Sequence, residues 1–158
     1  MTKLLLRTTT LLATMLFAGH ALAVLNGPYS GAFCQPEYYG SGSNNDKIYT
    51  YQGGVLNSST TSTMSVICPI KRVTTSGNVW VGIDVRRSAT YASAIFSCSL
   101  KVYSPQGVLK KSKSMAFNGT GAGFLGGVIT NVGPYDSMAV RCYVPQFSKV
   151  LDYLVSEW

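Results

Sequence analysis

Histidine is almost missing from this sequence. The single one, His20, stands near the N-terminus, just ahead of the small-residue motif "ALA" at residues 21–23. Acids are scarce too, with six Asp and Glu against thirteen Lys and Arg in 158 residues. No stretch reaches the roughly 20 apolar residues of a transmembrane helix, there is no CxxC pair, and helical spacing persists over more than ten residues nowhere after residue 23. These gaps exclude a good deal. Without an available imidazole, Ser-His-Asp triads, His-activated cysteine nucleophiles and nearly all zinc sites are closed.

That imidazole is lost depends on the N-terminus. Lys3 and Arg7 make a basic start, the apolar run "LLATMLFAG" follows, and Ala21 and Ala23 supply small residues at both recognition positions of a signal peptidase. The pattern predicts a secretory signal peptide over residues 1–23, cleaved after Ala23. His20 then leaves with the leader. The remaining 135 residues, 24–158, suit a single domain large enough to bury a core, and their formal charge falls to about +5. So modest an excess does not point to nucleic acid; a glycan or an anionic cell-envelope surface is the partner it suits.

Four cysteines are present, Cys34, Cys68, Cys98 and Cys142. An even number, without metal-type spacing, in an exported chain implies two disulfides and no metal. Three pairings are open. Proximity along the chain favours Cys34 with Cys68 and Cys98 with Cys142, and loops of that size contribute roughly 3 to 4 kcal/mol each in the chain-entropy picture.

Period-two alternation recurs wherever the chain is apolar. In "VWVGIDV", residues 79–85, the valines and Ile83 share one face while Trp80, Gly82 and Asp84 share the other. The same alternation runs through Met64–Ile70, Phe96–Val102 and Met138–Val144, each time with the cysteine on the apolar face, so the disulfides are expected in the core. Further strands are expected at about 48–56, 108–117, 124–130 and 149–156, separated by turn signals such as "NNDK", "TTSGN", "SPQG" and "NVGPYDS". Eight or nine short strands read as an all-β, two-sheet antiparallel sandwich of Greek-key or jelly-roll type, with a closed barrel as the competing architecture.

Chemistry has few places to reside. Glycoside hydrolysis needs two carboxylates at a fixed separation, and nothing in the order of Glu37, Asp46, Asp84, Asp136, Asp152 and Glu157 selects a pair; acids on strands and turns are ordinarily solvated. A Ser-Lys arrangement drawn from "LKKSKS" at residues 109–114 has a simpler explanation, because lysines on an exposed edge strand discourage pairing with other chains. Together with Arg86 and Arg87 they are also candidates for an anionic surface. Asn44, Asn45 and Asp46 lack the acidic density of a calcium loop and read as turn formers. "NSS" at Asn57 and "NGT" at Asn118 match the glycosylation pattern, but the compact leader has bacterial proportions and both read as chance matches. No catalytic residue, cofactor or metal is assigned.

Aromatics are the richer signal. Tyr49 and Tyr51 stand two apart on one strand, and Trp80 lies opposite its valines, beside Gly82 and Asp84. That grouping suits a stacking platform with a hydrogen-bonding carboxylate at its edge, the arrangement sugar rings prefer; the structural alternative is a tryptophan covered by its own chain. Trp80, Asp84, Tyr49 and Tyr51 are therefore the candidate ligand contacts.

The marks "CPI" (68–70), "FSCSL" (96–100), "RCYVP" (141–145) and "YLVSE" (153–157) carry a resemblance. Over most of its length the chain resembles a group of small secreted bacterial proteins of unknown function with four spaced cysteines. The resemblance implies a disulfide-tied secreted β domain and adds no functional residue. The expected product is thus a secreted or periplasmic, non-catalytic binding protein for carbohydrate or cell-envelope glycan. A structural or protein-interaction role is the alternative, and a glycosidase comes third.

Overall fold

The computed structural model describes residues 24–37, 48–73, 76–91 and 94–158, with the side chains of 24–27, 48, 49 and 51 outside that description. The predicted leader, the "NNDK" turn and Asp46 lie outside the described residues. Eleven strands follow in order: β1 (Val24–Ser30), β2 (Gln35–Pro36), β3 (Ile48–Tyr51), β4 (Gly54–Asn57), β5 (Met64–Ile70), β6 (Gly77–Arg87), β7 (Phe96–Tyr103), β8 (Leu109–Phe117), β9 (Gly121–Val132), β10 (Ser137–Val144) and β11 (Lys149–Glu157). No helix among the described residues is long and apolar enough to cross a membrane.

Two antiparallel sheets face each other. One runs β3-β4-β11-β6-β9, with β1 sharing the β4 side of β11; the other runs β2-β5-β10-β7-β8. From β4 onward the pairing is nested: β4 with β11, β5 with β10, β6 with β9, β7 with β8. That is one long antiparallel ribbon, its tip at the Ser104–Val108 turn, rolled until β11 meets β6 and β10 meets β7. The result is a jelly-roll sandwich with free edges rather than a closed barrel.

Alternation accounts for the core. Val79, Val81, Ile83 and Val85 from β6 meet Val66, Leu100, Val102 and Val140 from the opposing sheet, all removed from solvent. Tyr153 of β11 crosses the interior and donates its hydroxyl to the Pro69 carbonyl, 2.6 Å away, joining the two sheets by a side-chain bond. The disulfides pair Cys34 with Cys68 and Cys98 with Cys142. All four are buried, three of them, Cys68, Cys98 and Cys142, by strand parity. Cys98 and Cys142 are register partners on β7 and β10, and Cys34 precedes the β2 residue opposite Ile67. Both bridges therefore staple neighbours within the five-stranded sheet, and neither links the two sheets.

Two expectations need correction. The single strand expected at 48–56 is a hairpin, β3 and β4, turned by Gln52 and Gly53, both at positive φ (48° and 77°). This is the primed two-residue turn that matches strand twist, and the "QGG" triplet was its unread signal. The view that acids are merely solvated also fails. Glu157 is buried beside Arg72, 3.8 Å apart; Asp136 is buried and holds Lys110 at 2.9 Å; Glu37 pairs with Arg141.

Candidate functional site

Four of the six acids thus fall outside the question: three serve structural ion pairs and Asp46 is not described. The other two meet. β6 and β11 are in register so that Asp84 lies opposite Asp152 on the outer face of the six-stranded sheet. The two carboxyls share a hydrogen bond, and burial, that bond and the Asp84 charge together raise the Asp152 pKa above the ordinary value of 3.8.

Next to the acids lies an aromatic surface. Trp80 and Phe124 stack with centroids 5.9 Å apart and planes inclined by 28°. They rest on Gly82 and Gly126, which are register partners on β6 and β9. A Cβ at Gly82 would stand 2.5 Å from both Phe124 Cζ and Trp80 Cη2, and one at Gly126 would stand 3.2 Å from Phe124 Cε1 and 3.4 Å from Trp80 Nε1. The glycine pair is a floor that lets both rings lie down on the backbone. Trp80 is partly buried by this arrangement, whereas Phe124 is 50% exposed and the neighbouring Val128 40%. Tryptophan is therefore neither isolated in solvent nor hidden beneath a loop; its close companion is another exposed ring.

Phe124 is also the register partner of Asp84, so the platform and the acid pair adjoin. A row Phe124–Asp84–Asp152–Ser30 runs across four strands. Beyond Asp152 opens a groove of about 450 Å³ lined by Pro28, Ser30, Gln52, Gly53 and Leu151. Tyr49 and Tyr51, the other two candidate contacts, pair in register with Leu56 and Gly54 on the far side of this sheet, three strands from β6. Their side chains lie outside the description.

The basic residues separate into two groups. Lys110 is spent on Asp136, and Lys111 donates to the Thr130 and Asn131 carbonyls at 2.7 and 2.8 Å. β8, which carries them, is the edge of its sheet, in keeping with the edge-protection reading. Arg87 faces inward and ties the Asn118 and Gly119 carbonyls to β6 at 2.6 and 2.9 Å, so it is not part of an outer cationic surface. Arg86, by contrast, is exposed. Asn57 cannot carry a glycan in the folded chain, because its buried Nδ2 donates to Ser62 and Val144 carbonyls at 2.9 and 2.8 Å.

Sequence reasoning missed Phe124 and Asp152. A signal existed for each, since both occupy the outward parity of their strands, but their neighbours on the sheet depend on register.

No protein-family model matches the sequence, and no curated protein matches it. Among solved structures, the chain is similar to the xylan-binding module CBM15, with a TM-score of 0.56 at 13% identity, covering 86% of this chain and 96% of that one. It also aligns with a family 35 carbohydrate-binding module from Clostridium thermocellum, at a TM-score of 0.45 and 17% identity, over 85% of this chain and 90% of that one. At 13% identity the first likeness concerns the fold alone, a jelly-roll sandwich.

Proposed function

We propose that this protein is an exported, non-catalytic carbohydrate-binding protein whose ligand lies along the outer face of the six-stranded sheet. The observation that carries the reading is the pair of rings, half-buried Trp80 and exposed Phe124, laid flat over Gly82 and Gly126. Flat apolar rings suit the C–H faces of pyranose sugars, and they bury little entropy on binding because glycine already holds them down. Asp84 and Asp152, at the edge of the platform, offer carboxyl oxygens as acceptors to sugar hydroxyls. Sharing its fold with a xylan-binding module supports the reading. Two disulfides support export, with processing after Ala23.

Titration of the protein with neutral β-linked oligosaccharides, followed by tryptophan fluorescence and calorimetry, tests the proposal. Trp80→Ala removes a central aromatic anchor, which costs about 2 kcal/mol or more, roughly thirtyfold in affinity. A Trp80→Ala protein that binds as well as the parent removes the platform from the site.

A further inference from the structure

The outer row beyond the acid pair is basic. Arg86 and Lys149 are register partners on β6 and β11, and Lys149 is in turn opposite Leu56. Both border a cavity of about 370 Å³ walled by Leu56, Phe147, Gln52 and Ser88. The walls are held from behind. Phe147, 42% exposed, stacks on Tyr91 with centroids 5.1 Å apart; the Ser88 amide donates to Ser148 Oγ at 3.1 Å, and the Asn57 amide to the Ser148 carbonyl at 3.0 Å. Such a cavity has the lower range of size for a small-molecule site, larger than a bare inorganic anion fills, and its lining combines the Phe147 ring with the Ser88 hydroxyl and the Gln52 amide. Along β6 it begins about 20 Å from Trp80, at six residues of about 3.3 Å each, on the same outward parity.

We propose that this cavity is a second subsite of the same face and receives a hexuronic acid residue, its carboxylate between Arg86 and Lys149 and its ring against Phe147. The glycan bound is then an acidic one. This rests on the carbohydrate-binding reading above and narrows it.

The test uses the disulfide-bonded, isotope-labelled protein and NMR titration with galacturonate, galactose and acetate in parallel. Galacturonate is expected to shift the Arg86 side-chain and the Ser88 and Phe147 amide signals, with galactose and acetate each binding at least about tenfold more weakly. Arg86→Gln, with Lys149→Gln as the second variant, should lose that preference while the rest of the spectrum is retained. Silence of the cavity signals toward galacturonate overturns the inference, and so does an equal response to acetate, which means general attraction of anions. The Trp80 indole signal, titrated with neutral oligosaccharide, reads the platform separately. If it responds while the cavity does not, the face binds sugar without an acidic subsite; if the cavity alone selects galacturonate, the subsite stands and the platform is lost.

Discussion

Gly82 shows how much of the candidate site depends on an absent side chain. Valine is the better strand former, yet a Cβ at this position meets both rings of the platform at 2.5 Å. Gly82→Val is therefore expected to leave the sandwich folded but to lift Trp80 and Phe124, changing tryptophan fluorescence and weakening oligosaccharide binding at least about tenfold. Glu157 makes the opposite point, a charge placed where side chains are apolar. Its carboxylate is fully buried, accepts from the Val73 amide at 3.2 Å and faces Arg72. Removing one partner of a buried pair leaves the other's charge uncompensated, so Glu157→Ala is expected to lower stability by about 3 to 5 kcal/mol in urea unfolding.

At the scale of elements, β11 is the member on which most of the structure converges: it pairs with β1, β4 and β6, contributes Asp152 to the outer face, and sends Tyr153 inward to the second sheet. Tyr153→Phe keeps the packing against Tyr29 but removes the hydrogen bond to the Pro69 carbonyl, at a cost of about 0.5 to 1.5 kcal/mol. Burial and the neighbouring Tyr29 push the Tyr153 pKa up to about 12 from 10.0. The folded state therefore holds this proton more tightly than the unfolded one, and the stability it contributes, complete below pH 10, is lost between pH 10 and about 12. Melts of the phenylalanine variant should lack that alkaline loss. The element boundaries themselves were largely legible: the alternation through 64–70, 79–85, 96–102 and 138–144 corresponds to β5, β6, β7 and β10. β1 and the short β2 escaped because neither alternates strongly, and the β3–β4 hairpin escaped because its turn uses glutamine where asparagine is the usual sign.

Across the whole molecule, the two sheets divide the labour. Both disulfides lie in the five-stranded sheet, whereas the glycine floor, the rings and the paired carboxyls lie on the six-stranded one. The acids set opposing pH responses. Asp136, bonded to Lys110 and to the Gly133 amide, has its pKa lowered, so its contribution is present above the ordinary Asp value of 3.8 and is lost as pH falls. Asp152 has its pKa raised by burial and Asp84, so its contribution is present below 3.8 and is lost as pH rises through the raised value. Asp152→Asn should accordingly raise the melting temperature above that range and flatten its dependence there, while Asp136→Asn should lower it; melts from pH 3 to 8 check both. An Asp152→Asn protein with an unaltered pH profile would separate the two carboxyls.

The sequence by itself determined which residues face inward, because strand periodicity is local: parity alone buries the valines of β6 and the cysteines of β5, β7 and β10, and turns Trp80 and Asp84 outward. It also determined that imidazole chemistry is closed to residues 24–158. Only the tertiary structure decided who stands beside whom. Trp80 met Phe124, and Asp84 met Asp152, through the register of strands 44 and 68 residues apart in the chain. Register is set by how the whole ribbon rolls and by the bulge between Val150 and Asp152, and a shift of one residue would turn each outward side chain into the core.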